Sequence, residues 1–390
     1  MAVFRRVLLG LPAAMLLLAV APDPGIAVLE RLFREKVAQA GWFTAQFIEK
    51  VPIDQVNTLL GAVRAQLGGL RSVSGSGHSF VVHLARGDVS ARLVLTDDGK
   101  IAGLLLRPAA SQGNLDDHVR AIAALPGETS VLVTRDGAVL AAKGAETPLA
   151  VGSAFKLAVL KAVAEAIGRQ RLAWDQVARL EPAWRSLPSG SLQTWPDGTP
   201  LTIATLADMM ISTSDNTAAD ALIALAGRAA VESLSPRNAP FLTTREAFVL
   251  KASAAPRSRW LAGDVAARRK ILAEIAALPL PAPESVLAGL EIEWRFSARE
   301  LAALLEALHA VPACAATLGI NPGLASPADW RRVMFKGGSE LDCVNLSTLA
   351  VDHRGARHAV IVTWNGPGAA VEKLAGPYGG ILQGLARGDG

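Results

Sequence analysis

Two strand-like stretches lie far apart in the chain and constrain its fold more than any other feature. "SVLVTRDGAVLAAKG", Ser130 to Gly144, reverses at Asp136 and Gly137. "RVMFKGGSELDCVNLSTLAVDHRGARHAVIVTWNG", Arg332 to Gly366, turns at Arg354 and Gly355. Apolar and polar residues alternating around such reversals read as antiparallel hairpins. From Ala150 to the second stretch the apolar spacing is helical, and a last segment, "AAVEKLAGPYGGILQGLA", is helical in parts with glycines that weaken the pattern. Strands at both ends with helices between them predict one sheet assembled from sequence-distant hairpins.

This domain opens at about Leu115, after the linker-like "RPAASQGNLDD". Upstream, residues 28–110 read as a smaller α+β domain. A helical segment comes first, followed by three strand-like runs, "HSFVVHLARG", "DVSARLVLTD" and "KIAGLLLRPA", parted by turns at Gly87–Asp88 and Asp97–Gly99. Ahead of it lies a segment with Arg5 and Arg6, an apolar run from Val7 to Ala21 broken by Pro12, and small residues at Gly25 and Ala27. Residues 1–27 read as a signal peptide, with an uncleaved anchor as the alternative, and imply a periplasmic or secreted protein. No later stretch is apolar and long enough to span a membrane.

With 390 residues, 51% of them hydrophobic, the chain can bury two cores. Its 39 Lys and Arg against 35 Asp and Glu contain no basic run longer than Arg268–Lys270, so nothing points to nucleic acid. The six histidines form no H-E-x-x-H or other close pair, which leaves no basis for a metal or other cofactor. Cys314 and Cys343 either pair in an oxidising compartment or are small core residues, and both readings stay open.

The chemistry concentrates in three places. In "AVGSAFKLAVLKAV", Lys156 stands one helical turn after Ser153 in apolar surroundings. A serine hydroxyl is a weak nucleophile, and a lysine held in an apolar setting loses pKa and can take its proton. At a helix N-terminus, free N–H groups favour the negative charge that develops. "STSDNTAAD" then sets Ser214, Asp215 and Asn216 at a break between two helical patterns, with a hydroxyl to carry a proton and an amide to face a carbonyl and Lys156. "MFKGGSE" puts Lys336, Gly337, Gly338 and Ser339 on a strand, where paired glycines suggest close approach of a ligand.

In this order the motifs resemble the S-x-x-K, S-D-N and K-T-G set of class A β-lactamases and penicillin-binding proteins. The resemblance implies a five-stranded antiparallel sheet flanked by helices over residues 115–390. It implies Ser153 as the acylated nucleophile, Lys156 as its base, Ser214 as proton relay, and Asn216 and Lys336 as substrate contacts. The backbone N–H groups of Ser153 and Ser339 are then the oxyanion donors, with Gly338 beside them on the substrate-binding strand. The N-terminal domain looks like an NTF2-like (cystatin-like) module. The whole arrangement is similar to the two-domain β-lactamase-like proteins typified by the Orf12 protein of clavulanic acid biosynthesis.

Two departures stand out. Gly337 replaces the Thr or Ser whose hydroxyl binds the substrate carboxylate in that family, and no E-x-x-L-N string lies between Asn216 and Lys336. Glu246 is the candidate for the missing deacylation base. The only tyrosine, Tyr378, provides no Y-x-N motif, and G-x-S-x-G is absent. The expected function is an exported serine hydrolase acting on a small acyl substrate, a β-lactam amide or an ester. The alternatives are a D-Ala-D-Ala peptidase or transpeptidase and a non-catalytic ligand sensor. Trp195 is a further rim candidate, against the plainer reading of a loop residue packed on its own domain.

Overall fold

The computed structural model describes residues 23–107, 113–286 and 289–388. The apolar run read as a leader lies outside them. The chain divides into two compact units: residues up to Ala85 with Val89–Leu106, and Arg86–Asp88 with Arg107 onward.

In the first unit, helices α1 (Pro24–Arg34), α2 (Ala45–Lys50) and α3 (Ile53–Leu67) precede a sheet of β1 (Leu70–Ser76), β2 (Ser79–Leu84), β3 (Gly87–Leu95) and β4 (Ile101–Arg107). The strand order is β1-β2-β3-β4. Strand β1 is one more than the sequence suggests. Only Val73 in it is buried, so it lacks the apolar alternation that marks a strand. Asp23 caps α1 through the Gly25 N–H, and its other oxygen accepts from the Gly77 N–H, each at 2.8 Å. Gly25 packs so closely on Phe80 that a Cβ would stand 2.3 Å from the ring. Gly25 and Ala27, read above as the end of a signal peptide, belong to helix α1.

The second unit begins with α4 (Leu115–Ala123), whose capping box of Asn114 and Asp117 claims the end of the expected linker. Then follow β5 (Glu128–Arg135), β6 (Ala138–Lys143), β7 (Leu149–Ala150), α5 (Lys156–Gly168), β8 (Val177–Arg179) and β9 (Pro200–Thr202). Helices α6 (Ile203–Ser212), α7 (Asn216–Ala226), α8 (Arg228–Leu234), α9 (Thr244–Ala252), α10 (Ala254–Ala262) and α11 (Val265–Ile275) come next. The unit closes with β10 (Arg295–Phe296), α12 (Ala298–His309), α13 (Pro312–Gly319), β11 (Arg332–Glu340), β12 (Cys343–Val351), β13 (Arg357–Asn365) and α14 (Val371–Arg387).

The expected five-stranded sheet is present, ordered β11-β12-β13-β5-β6, with every neighbour antiparallel. The first hairpin turns on Asp136 and Gly137, at φ 48 and 83, the left-handed pair that a two-residue turn requires. Alternation then separates two cores. Leu132, Leu349 and Ile361 face the larger helical core with α5 and α12, and Val131, Val133, Val360 and Val362 pack with α14. Strand β12 is buried along its whole length. Helix α14 runs unbroken despite Pro377 and several glycines, because Leu374, Tyr378, Ile381 and Leu382 seat it on the sheet. Tyr378 donates to Thr348 Oγ1 and Val360 O from inside that core, so its hydroxyl serves packing. Both cysteines are buried, free thiols, which answers the pairing question in favour of core residues.

Candidate active site

Ser153 lies in a 3-10 turn, Gly152–Phe155, that runs directly into α5 at Lys156. The apolar residues around it anchor that turn. The Phe155 ring stacks on Trp294 at 3.8 Å between centroids and meets Phe241 edge-on. The Val151 N–H donates to Trp294 O at 3.0 Å, while the Asn365 amide both donates to and accepts from Ala150. Gly152 takes φ +48, and a Cβ on it would lie 3.0 Å from Ser339 N.

Strand β11 crosses this turn at its own glycine. A Cβ on Gly338 would stand 2.1 Å from Val151 O, 2.6 Å from Ser153 N and 2.7 Å from Ala154 N. The sequence suggested room for a ligand at the paired glycines. At Gly338 the close neighbour is the backbone of the turn that carries Ser153, and the missing side chain lets strand and turn approach. At Gly337 the neighbour is Phe335, whose ring would be 2.9 Å from a Cβ. The ring thus fills the space of the side chain that usually carries the motif's hydroxyl.

Lys156 is fully buried. Its Nζ donates to Ser214 O, to Asn216 Oδ1 at 2.6 Å and to Ser214 Oγ at 3.2 Å. Lys336 donates to the same Ser214 Oγ at 3.1 Å and to Gly337 O at 2.6 Å. Burial holds the Lys156 amine well below the usual lysine range, and the Lys336 charge adds to this. Burial pushes Lys336 down to about 7. With two hydrogens on Ser214 O and Asn216 Oδ1, the unprotonated form of Lys156 would meet Ser214 Oγ as a hydrogen-bond acceptor. Among the described contacts the amine bonds Ser214 and Asn216, and no bond joins it to the Ser153 hydroxyl.

Ser214 occupies the reversal between α6 and α7 with φ +59, a left-handed conformation worth roughly 1–3 kcal/mol of strain for a non-glycine residue. Asp215 holds that reversal. Its carboxylate caps α7 through Ala218 N and accepts from Ser191 N at 2.7 Å and Leu192 N at 2.9 Å. Gly190 makes room for it, since a Cβ there would be 2.1 Å from Asp215 Oδ2. Asn216 Nδ2 donates to Leu187 O at 3.0 Å, so half of its amide ties down this loop. Pro188 and Ser189 thereby reach the cleft, a placement with no signal in the chain beyond a glycine and proline turn.

A cleft of about 570 Å³ is bordered by Ser153, Ser214, Asn216, Lys336, Gly338 and Ser339, with Lys156 just beneath it. Glu246 is not part of it. Its carboxylate takes two hydrogen bonds from Arg228, at 2.9 and 2.7 Å, and completes the N-terminal capping box of α9 with Thr243. With both oxygens committed there, Glu246 is not placed to activate a water at Ser153. Trp195 is likewise outside the residues bordering the cleft. Glu340 is the one carboxylate among the described residues that border it.

A model of the β-lactamase enzyme family matches residues 114–318. Among solved structures, the chain is similar to the β-lactamase of Sphaerobacter thermophilus DSM 20745, at 20% identity over 70% of this chain and 96% of that one, with a TM-score of 0.49. An ancestral class A β-lactamase matches at 20% identity over 69% and 98%, with the same TM-score. A point mutant of PBP-A, solved as its acyl-enzyme complex with penicillin G, matches at 15% identity over 70% and 96%, also at 0.49. A search of curated proteins found no match.

Proposed function

The chain belongs to the β-lactamase enzyme family, and from that premise we propose that it is an exported serine hydrolase that forms an acyl-enzyme on Ser153 and hydrolyses a β-lactam amide or an ester. The observation that carries this reading is the buried Lys156 amine, three residues from Ser153 and held by Ser214 and Asn216, which border the cleft together with Ser153. A lysine whose amine burial holds well below its usual range can take the Ser153 proton as Oγ attacks the acyl carbon. Ser214 Oγ, in contact with both lysines, offers the path by which that proton reaches the leaving group. The Ser153 and Ser339 N–H groups receive the oxyanion, each commonly worth a few kcal/mol in the transition state.

The residue roles and the class A type of mechanism belong to this proposal, as do export to the periplasm or exterior and the NTF2-like nature of the N-terminal unit. A fluorophosphonate or fluorescent penicillin is expected to label the wild type and not Ser153→Ala. Equal labelling of both proteins would remove the assignment. Release of D-alanine from a pentapeptide would redirect the substrate class to cell-wall peptides.

A further inference from the structure

Hydrolysis through Ser153 needs a group that activates the deacylating water, and Glu246 is committed elsewhere. Lys336, Gly338 and Glu340 alternate onto one face of β11. On that face Lys336 meets Ser214 and Gly338 meets the backbone of Ser153. Glu340 comes one strand repeat later, about 6.7 Å along from Gly338. It borders the cleft together with Ser153, and its charge is felt at the Lys156 amine.

Its side chain is also held from behind. Lys251, on α9 and only 4% exposed, lies 3.7 Å from Glu340 and makes a close ion pair with Glu293, whose side chain is 1% exposed. Glu293 immediately precedes Trp294, on which the nucleophile's turn is stacked. One Glu293 oxygen has no hydrogen-bond partner. A buried lysine between a sealed carboxylate and a cleft-facing one is costly for stability alone, because desolvation of such groups tends to exceed their attraction. It does fix where the cleft-facing carboxylate stands.

We propose that Glu340 is the general base of deacylation and that Lys251 is its positioning residue, an inference that rests on Ser153 being the acylated nucleophile. Water attacks the acyl carbon while the Glu340 carboxylate takes one of its protons. The oxyanion forms against the Ser153 and Ser339 N–H groups. On its collapse the bond from the acyl carbon to Ser153 Oγ breaks, and Oγ leaves with the electron pair. It regains the proton passed back from Glu340, which releases the free acid and restores the resting enzyme.

The test follows the mass of the intact protein over time with benzylpenicillin and with p-nitrophenyl acetate. Glu340→Gln keeps the shape of the side chain, and its thermal melt reports whether it is folded. It is expected to acylate within about threefold of wild type and to clear the adduct about 100-fold more slowly. Lys251→Met should slow clearance while leaving acylation near wild type. Clearance at the wild-type rate in Glu340→Gln, or a wild-type adduct that never clears, overturns the role of Glu340 and leaves Ser153 standing. Absence of any adduct on both the wild type and Glu340→Gln overturns both.

Discussion

Replacing Gly338 by alanine adds a single methyl group where β11 crosses the turn that carries Ser153. The new Cβ would start 2.1 Å from Val151 O, 2.6 Å from Ser153 N and 2.7 Å from Ala154 N. All three are backbone atoms, so no rotamer change relieves the contact, and strand and turn must separate by about 1 Å to reach ordinary packing distances. Overpacking of this kind costs about 1–3 kcal/mol of stability. The catalytic effect is larger. On the roles proposed for the Ser153 and Ser339 N–H groups, displacing one of them by about 1 Å is worth roughly a 100- to 1000-fold loss of rate. The assay is the second-order rate of labelling by a fluorophosphonate, run beside a thermal melt at a temperature where the variant is folded. Labelling of folded Gly338→Ala within about threefold of wild type would refute the view that this glycine exists to bring the two N–H groups together.

Other consequences follow from the same contacts. Glu246→Ala removes a helix cap and a two-point Arg228 pair, so it should cost about 2 kcal/mol in a melt and leave adduct clearance unchanged. Lys336 is held at about 7 when folded and returns to 10.5 when unfolded, so between those values the unfolded chain binds more protons and stability rises with pH. That rise should flatten in Lys336→Met, as read by denaturant midpoints at pH 7 and 10. Cys314 and Cys343 are buried, with the Cys314 thiol pushed up to about 12, so neither should react with a thiol reagent until guanidinium unfolds the protein. Asp23 and Gly25 are built into the first unit, so on the proposed export N-terminal sequencing of the processed chain should start at or before Asp23 and not after Ala27.

Much of the fold could be read from the chain because its signals are local. Asp136–Gly137 dictates a tight reversal, and the alternating runs around it and after Arg332 can be buried on both faces only as strands. Strand β1 escaped because its residues are polar and only its neighbour β2 makes it a strand. Helix α14 was weakened on paper by its glycines, whose cost in propensity is outweighed by the packing of Tyr378 and its neighbours on the sheet. At the site, Ser153 and Lys156 stand out because they share one turn, whereas Lys251, Glu293 and Glu340 meet only after folding. Glu246 drew attention by its place in the sequence, and its partner Arg228 is invisible to that reading. The paired glycines pointed to a close approach, and the fold supplied backbone at one and a phenyl ring at the other.

The most direct measurement is the intact mass of the protein after mixing with benzylpenicillin and with simple esters, followed by peptide mapping of any adduct. The account predicts one acyl group per chain, carried by the peptide that contains Ser153. It also predicts none on Ser153→Ala and strongly slowed formation on Lys156→Ala. An adduct on another residue, or one that forms equally well without the Ser153 hydroxyl, would contradict it.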